Sequence, residues 1–372
     1  MKFKKTLSLL LAVILLSGCV TVSFAADENA DAFKLGVISF NVDGLPVPSF
    51  LSSTKRPPSK ATKLIAREIN KTDCDILCAQ EDFNFDGVLE KNLDMKNRTV
   101  TSGPAVVGDG LNIFSKYPIF NVGRVLWDDA YGIFDCGSDE LTPKGILYCT
   151  VEVRHGIFVD VYTLHADAWE DDDSMYAKVS QFDQLLKLIE TNSADRAVIL
   201  TGDFNTNYAV FREGYKNGRY PVDLCQKLLD NFIGNGFKDA WIECNTDGNY
   251  DFTYYEMKEK YGCDYPRVWD TLDHIYYRDG AGVSFELESA VYDDFDCEDI
   301  TWEGHLSDHA AVKATFNVTI ERKNATKPEK LERENSHPVS HFFSAVASIA
   351  RTLFKVIKNL PSLFKNGIGW LK

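Results

Sequence analysis

The residues best suited to chemistry stand directly after an apolar run, in Val198-Ile199-Leu200-Thr201-Gly202-Asp203-Phe204-Asn205-Thr206. Val, Ile, Leu and Thr favour a buried strand, and Gly202 lets the backbone turn where the run stops. Asp203 and Asn205 are therefore expected where a rigid strand opens into a loop. Two oxygen-bearing side chains at such an edge suit a hard cation or a water held beside a phosphate. The alternative is a turn in which both side chains cap backbone amides.

Three other apolar runs also stop at a polar side chain. The runs cover 35–40, 76–80 and 157–164, and they stop at Asn41, Glu81 and His165. An ionised Glu at the end of a buried strand needs a partner, and a divalent cation would be one. A lone His is more often structural, but His165 has the same strand-end position as Glu81 and Asp203. Together these positions favour one polar site at the edge of a sheet.

The remaining pattern predicts the elements that would position these residues. Segments 144–153 and 157–164 flank a short turn and predict a hairpin. The strand predicted at 271–277 contains Asp273, and Asp308 with His309 precedes a final strand ending near 320. Apolar residues at helical spacing predict the main helices. These helices cover 59–71, 175–191 and 224–233, and the polar, Tyr-rich stretch 242–267 is interpreted as a surface insertion.

The N-terminal segment 1–26 has the basic start and apolar centre of a secretory signal. Two ways of processing this segment during export remain open. Leu16-Ser17-Gly18-Cys19 is typical of a lipobox and would place a lipid on Cys19, whereas Ser23-Phe24-Ala25 suits ordinary cleavage. Either exit predicts an exported protein. Eight cysteines follow this segment, and their even number permits disulfides without revealing which residues pair.

The chain carries a net charge of −15, and its 55 acidic residues all lie between the two ends. Eight of the 40 basic residues lie in the first five positions or after 337, where no acid occurs. The acidic body makes non-specific binding to nucleic acid less favourable, because that binding is mainly electrostatic. A local basic groove would still be compatible with this composition.

The residue composition of the C-terminal part changes at about residue 321 and again at about residue 341. Residues 321–340 are charged and poor in apolar side chains, which predicts a polar linker. Residues 341–372 carry apolar side chains at helical spacing, with Arg351, Lys355 and Lys358 on the opposite face. A basic amphipathic helix with Phe and Trp is typical of a membrane interface. A helix packed on the body is the alternative.

The polar motifs occur together in the order typical of one enzyme superfamily. The chain resembles the endonuclease/exonuclease/phosphatase superfamily, and within it the bacterial neutral sphingomyelinase branch. The motifs of the superfamily are Asn41, Gln80-Glu81, Thr163-Leu164-His165, Gly202-Asp203-Phe204-Asn205, Leu272-Asp273 and Ser307-Asp308-His309; those of the branch are 41–46, 115–119, 144–148 and 165–167.

The resemblance implies an α/β (α+β) fold over residues 33–320. This fold is a four-layer sandwich of two mostly antiparallel sheets flanked by helices, to which the chain would add the C-terminal amphipathic helix. The site is expected at the sheet edges. His274 departs from the family, since this position is often aromatic or apolar there.

The resemblance also implies hydrolysis of a phosphoester with Mg²⁺, or with Mn²⁺ or Ca²⁺ in its place. Glu81 and Asn41 would hold the ion, while Asp203 and Asn205 would orient the attacking water or hold a second ion. The expected metal set is Asn41, Glu81, Asp203, Asn205 and His309. The expected catalytic set is His165, Asp203, Asn205, Asp273, Asp308 and His309.

The resemblance gives each of the other catalytic residues a role. His309 would be the general base or stabilise the pentavalent state, and Asp273 would fix its tautomer. His165 would hydrogen-bond a phosphoryl oxygen, and Asp308 would support the cluster.

Three functions fit this pattern. The first is an exported or surface-anchored phosphodiesterase acting on a phospholipid headgroup as a monomer, with residues 341–372 on the membrane. The second is a secreted nuclease or a phosphatase of sugar or inositol phosphates. The third is a non-catalytic protein that binds membrane surfaces on the same fold.

Overall fold

The predicted apolar runs form central strands of two sheets in a computed structural model of the protein. The structure describes residues 31–46, 57–105, 107–132, 139, 142–252, 272–295 and 305–334. The predicted signal segment 1–26 and the predicted helix 341–372 lie outside the described residues, as does most of the predicted insertion.

Each sheet has six strands. The first contains β1 (Ala32–Asn41), β2 (Ile76–Gln80), β3 (Asn97–Arg98), β4 (Asn112–Ser115), β11 (Val283–Asp293) and β12 (Ala311–Ile320), in the order β11-β12-β1-β2-β4-β3. The second contains β5 (Ile119–Leu126), β6 (Gly145–Arg154), β7 (Ile157–His165), β8 (Val198–Asp203), β9 (Lys238–Asp239) and β10 (Asp273–Arg278), in the order β5-β6-β7-β8-β10-β9.

Helices cover the outer faces of both sheets. The first sheet packs against α1 (Pro58–Ile69) and α2 (Asp86–Asn92), and the second against α3 (Asp172–Asn192), α4 (Tyr208–Lys216), α5 (Leu224–Asn231) and α6 (Ala240–Thr246). The predicted four-layer α+β sandwich of mostly antiparallel sheets is therefore confirmed. No helix among the described residues is long and apolar enough to cross a bilayer.

Both faces of the central strands are buried, which explains why their sequences are apolar without interruption. Val161 on β7 and Ile199 on β8 pack between the sheets, where they belong to the same apolar cluster as Val37. Their neighbours Tyr162 and Leu200 point to the other face and pack beneath the helices. Successive side chains on a strand point to opposite faces, so each strand contributes to two apolar layers.

Strand direction brings the polar strand ends to a single edge. In each sheet, one pair of the described strands is parallel: β1 with β2, and β7 with β8. The register pairs Asn41 with Gln80 in the first sheet and His165 with Asp203 in the second. Antiparallel β10 begins at this edge, because Asp273 pairs with Asp203.

Residues 321–334, the described part of the predicted linker, contain no helix or strand, yet they lie against the body. We call this segment the strap. The Asn121 amide on β5 donates to the Glu332 carbonyl over 2.7 Å, and the Val100 amide donates to the Glu334 carboxylate over 2.7 Å. The strap thus contacts both sheets: it binds β5, the edge strand of the second sheet, and Val100, which follows β3, the edge strand of the first.

The sequence patterns did not predict β3, β5, β9, β11, α2, α4 or α6, although they located the other strands and helices. The helix predicted at 224–233 ends at Asn231 and continues as a 3₁₀ turn, Ile233–Asn235. The cysteines in the described part are free. Four are buried and one is exposed: Cys74, Cys78, Cys149 and Cys225, and Cys244.

Candidate active site

Asn41 connects the two sheets at the polar edge. Its buried side-chain amide donates one hydrogen bond to Glu81 Oε1 and another to Asp203 Oδ2, each 3.1 Å long. Its amide oxygen accepts from the Asp43 backbone over 3.1 Å, which fixes the orientation of the group. Carboxylates from β8 and from the end of β2 are thereby held on either side of one amide.

Glu81 follows β2 with a backbone φ of 55°, in the left-handed region that non-glycine residues rarely adopt. Burial, with the nearby Asp308 carboxylate as a second cause, raises the pKa of Glu81 to about 7. The protein alone therefore compensates the charge of this carboxylate poorly. A bound cation would favour its ionised form.

His309 is held by carboxylates on both sides of its ring. Its Nδ1 lies 2.6 Å from Asp273 Oδ2, and its Nε2 lies 3.7 Å from Asp203 Oδ2. The Ser307 hydroxyl positions this loop by donating to the Asn41 carbonyl over 2.6 Å. Burial alone would lower the pKa of His309, but Asp273 and Asp203 hold it well above the usual value.

His165 lies on the other side of Asp203 and has the opposite charge preference. Its Nε2 is 3.4 Å from Asp203 Oδ2, and the side chain is 4 % exposed. Burial, with the Lys144 ammonium as the next cause, lowers the pKa of His165 to about 3. His165 is therefore a neutral ring, and His309 is the cationic partner of Asp203.

Asn205 sits in a strained turn directly after β8. Its φ is 47°, its backbone amide donates to Asp203 Oδ1 over 2.9 Å, and its side-chain amide donates to the Ala166 carbonyl over 3.2 Å. The alternative interpretation expected both side chains to cap backbone amides; Asp203 does so, whereas the Asn205 side chain binds a carbonyl. The turn also fixes the Asp203 carboxylate beside His165.

The structure brings most of the predicted residues into one cluster. Asn41, Glu81, His165, Asp203, Asn205, Asp273 and His309 are linked by the contacts above. Asp308 is exposed at the rim, close enough to raise the pKa of Glu81. The individual roles of these residues remain predictions.

The cluster has the donor set of a divalent cation site. Ligand atoms of Asp203, Asp273 and His309 all lie within 4.8 Å of one another. Within the described part of the chain, the buried Asp273 Oδ1 has no hydrogen-bond partner. Carboxylate oxygens are preferred ligands of hard cations, and an orphaned buried oxygen is a place for one. These residues therefore fit a divalent metal, with Asn41 and Glu81 directly beside them.

Lys144 is a site residue to which the sequence patterns gave no role. It is 8 % exposed, forms an ion pair with Asp139, and lies 3.4 Å from the Ala166 carbonyl. Its charge acts on both Glu81 and Asp203. The signal was present, since Lys144 precedes β6 in a motif of the family branch, but no spacing connected it to the strand ends.

His274 faces away from this cluster. Its Nδ1 lies 2.7 Å from Asp239 Oδ2 and its Nε2 lies 2.8 Å from the Thr206 carbonyl. The ring packs among aromatic side chains, including Phe204 and Tyr276. His274, the residue that departs from the family pattern, thus supports the loop after Asp203 through its contact with the Thr206 carbonyl.

The sandwich and its acidic edge agree with a match between this sequence and one enzyme family. A family model described as Endonuclease/Exonuclease/phosphatase family matches residues 38–309, which span every residue of the site. The chain belongs to this family.

Curated relatives include a sphingomyelinase of Mycobacterium bovis and sphingomyelinases of two Mycobacterium tuberculosis strains. Each is 29% identical over 316 residues, which cover 81% of this chain and 56% of the relative. The chain thus spans about half the length of the curated relatives it matches.

Solved structures share the fold. A Staphylococcus aureus beta toxin has a TM-score of 0.50 at 19% identity, covering 75% of this chain and 99% of the toxin. D. rerio TDP2 in complex with a single-strand DNA product also has a TM-score of 0.50 at 19% identity, covering 76% and 99%. At such identity the likeness concerns the fold alone.

Proposed function

We propose that the protein is an exported Mg²⁺-dependent phosphodiesterase that hydrolyses the headgroup phosphoester of a phospholipid, with sphingomyelin as the first candidate. The observation that carries the proposal is the hydrogen bonding of Asn41 to both Glu81 and Asp203. This contact gathers carboxylates from both sheets at one point, beside a histidine on either side of Asp203.

Glu81, Asn41, Asp203 and Asn205 are the residues that would hold Mg²⁺, and His309, held as a cation, lies beside them. When bound, the ion offsets negative charge that develops on the phosphoryl oxygens. The orphaned oxygen of Asp273 lies in the same cluster. Mn²⁺ and Ca²⁺ are alternative ions for the same oxygen-rich set.

The two histidines are suited to opposite tasks around the phosphate. His309 is held as a cation by Asp273 and Asp203, so it stabilises the charge of the pentavalent state from one side. Neutral His165 donates a hydrogen bond to a phosphoryl oxygen from the other side. Burial raises the pKa of Asp203, but His309 is the main partner that lowers it, so Asp203 is ionised and accepts a hydrogen bond from the attacking water.

The substrate class rests on two observations. The curated relatives carry the name sphingomyelinase, and the acidic body disfavours a phosphate backbone as a partner. The fold does not exclude a nucleic-acid substrate, because TDP2 in complex with a single-strand DNA product shares it. Nuclease activity is therefore the principal competing outcome.

Export and membrane attachment complete the proposal. Segment 1–26 directs the chain out of the cytosol and is processed either by lipidation at Cys19 or by ordinary cleavage. Residues 341–372 lie on the membrane surface as a basic amphipathic helix. The protein acts there as a monomer.

The test is a panel of phosphoesters assayed with Mg²⁺, Mn²⁺, Ca²⁺ or chelator. The panel contains sphingomyelin vesicles, phosphatidylcholine vesicles, single-stranded DNA, and sugar and inositol phosphates. We expect phosphocholine release from sphingomyelin that chelator abolishes and that Mg²⁺ restores. Glu81→Gln is the matched control, because it keeps the size of the side chain and removes its charge.

Other results would contradict specific parts of the proposal. Phosphocholine release no greater than that of Glu81→Gln would exclude the lipid substrate. Faster hydrolysis of DNA would assign a nuclease. Vesicle binding without metal-dependent turnover of any phosphoester would assign a non-catalytic surface-binding protein.

A further inference from the structure

Helix α3 carries a buried lysine, Lys178, that contacts two loops of the candidate active site. Lys178 is 0% exposed, and its Nζ donates to the Trp169 carbonyl over 2.7 Å and to the Asn205 carbonyl over 3.0 Å. The ammonium also lies 5.0 Å from the centre of the Phe211 ring. One ammonium group thus connects the loop that follows His165 with the loop that follows Asp203.

The two carbonyls belong to residues with the same unusual backbone. Trp169 has a φ of 65° and Asn205 a φ of 47°, both in the left-handed region. A bulky aromatic residue is a rare occupant of this region. Such conformations persist when surrounding contacts hold them, and they concentrate at functional sites. Lys178 supplies a hydrogen bond to both strained residues at once.

These two turns also contact one another directly. The Asn205 side chain donates to the Ala166 carbonyl over 3.2 Å, and the Ala166 amide donates to the Asp203 carbonyl over 2.8 Å. His165 and Asp203 are neighbours in the β7–β8 register, so the strands fix where both loops begin. Lys178 binds each turn at a carbonyl beyond the end of the strand, where strand pairing no longer holds the backbone.

Lys178 is held by backbone hydrogen bonds, and the Asp167 and Glu170 carboxylates also act on its charge. Within the described part of the chain, its ammonium donates hydrogen bonds to the two backbone carbonyls. Burying an ammonium is unfavourable, so good acceptors must compensate it. Backbone carbonyls in these two turns serve as such acceptors only while both turns keep their strained geometry.

We propose that Lys178 is a positioning residue that fixes the Trp169 and Asn205 turns together, and thereby sets His165 relative to Asp203 and Asn205. The effect on turnover rests on the proposed function, whereas the effect on the two turns does not. The experiment therefore has one arm that needs a substrate and one that does not.

Lys178→Met removes the donors and keeps most of the side-chain volume. Lys187→Met is the matched control, because Lys187 is exposed on the same helix and the variant loses the same charge. Hydrogen–deuterium exchange is measured on the metal-free, full-length proteins, following peptides that cover 166–171 and 203–207. The hairpin of β6 and β7 serves as the internal reference.

We expect Lys178→Met to exchange about tenfold faster in both peptides, with the reference hairpin and Lys187→Met unchanged. We further expect kcat to fall about tenfold with KM altered less than about threefold. Trp169→Gly is a second variant, because glycine adopts this φ without strain. In the Lys178→Met background it should restore protection in 166–171 but not in 203–207. If Lys178→Met does not fold, the double variant is compared with Trp169→Gly in the same way.

Two results would overturn the proposal. One is unchanged exchange in both peptides of a folded Lys178→Met protein; the other is faster exchange in one turn alone. A lower melting temperature with unchanged kcat and exchange would show that Lys178 only anchors the helix. Absence of turnover by the unsubstituted protein would contradict the proposed function, while the exchange arm would still decide the role of Lys178.

Discussion

Neighbouring residues on β10 form two pairs of carboxylate and imidazole, of which the His274 pair is buried and the His309 pair is partly exposed. Asp273 contacts His309 at the polar edge, and His274 contacts Asp239 on the opposite face. The alternation of side chains along a strand separates the two pairs. The Asp273 pair lies beside Asp203, so the His309 ring is part of the candidate active site. The Asp239 pair supports the backbone at Thr206.

Asp273→Asn is expected to lower kcat/KM on the order of 100-fold, because loss of a carboxylate partner misorients and weakens an active imidazole. The melting temperature is measured alongside the kinetics. Asp239→Asn weakens the comparable pair while asparagine can still cap α6, so it should lower the melting temperature and reduce kcat/KM far less. Equal kinetic losses in both variants would mean that the Asp273 pair is only structural.

Asp167 supplies a pH dependence that is separate from the metal cluster. Burial, with the nearby Asp139 carboxylate as the next cause, raises the pKa of Asp167 to about 8. An unfolded Asp titrates near 3.9. The folded state therefore prefers the protonated group, and this contribution to stability is complete below about pH 4 and is lost as the pH rises towards 8.

Asp167→Asn cannot ionise, so its melting temperature should rise relative to the unsubstituted protein between pH 4 and pH 8. We expect a relative gain of at least about 2 °C, since one unit of pKa difference corresponds to about 1.4 kcal/mol. Thermal unfolding in chelator measures it. Asp94→Asn, at an exposed position, is the control. A constant difference across this pH range would refute the assignment.

Strand ends explain how much of the site was predictable. Asn41, Glu81, His165 and Asp203 each follow an apolar run, and burial on both faces makes such runs easy to detect. The elements that were missed have weaker patterns. Strand β5 is mostly half-buried at a sheet edge, and α4 begins within a loop that polar residues dominate. Strand β11 alternates between buried and exposed side chains only as far as Glu286, and a bulge between Leu287 and Ser289 shifts its register.

Contacts between distant residues were beyond the reach of sequence patterns. Neither the ion pair of Lys144 with Asp139 nor the two carbonyls bound by Lys178 follows from spacing along the chain. The family resemblance supplied the grouping of the site residues, because no local pattern connects Asn41 with His309. The strained φ values of Glu81, Trp169 and Asn205 are likewise consequences of tertiary packing.

The junction of β7 and β8 depends on Gly202. This residue has a φ of 144°, and an added Cβ would lie 2.4 Å from the Leu164 carbonyl oxygen and 2.8 Å from the Leu164 nitrogen. These neighbours are backbone atoms of the paired strand, so they cannot move aside independently. Asp203, the next residue, would be displaced with the strand end.

Gly202→Ala should lower the free energy of unfolding by about 2 kcal/mol or more and reduce kcat/KM as well, since the strain lies between His165 and Asp203. Denaturant unfolding and steady-state kinetics measure the two effects. Gly234→Ala is the control, because its added Cβ would meet only the Leu229 carbonyl oxygen at 3.5 Å. Similar losses in both variants would contradict this account of the junction.

At the scale of the whole molecule, the strap holds the chain against the body as far as Glu334. Composition predicted a polar linker over 321–340, but Arg333 lies 5.5 Å from the centre of the Phe120 ring, and Glu334 accepts a bond from Val100. Polar side chains and backbone groups make these contacts, so the strap lacks the apolar signature of a packed segment. The strap and the predicted membrane helix should therefore have separable effects.

Two truncations test this separation. Removal of 335–372 deletes the predicted helix and keeps the strap, so turnover of a soluble phosphoester and the melting temperature should remain unchanged. Vesicle binding and hydrolysis of vesicle lipid should fall at least about tenfold, because the apolar and basic anchoring surface is lost. Removal of 321–372 should also lower the melting temperature by several degrees, since it deletes the contacts with Asn121, Val100 and Phe120.

Vesicle sedimentation, thermal unfolding and kinetics on soluble and vesicle substrates give the comparison. If removal of 335–372 leaves vesicle binding intact, the membrane contact lies on the body and the helix has another role. If this shorter truncation lowers the melting temperature, residues 335–372 pack on the body, which was the alternative interpretation of the amphipathic pattern. Equal melting temperatures for the two truncations would show that the strap contacts contribute no stability.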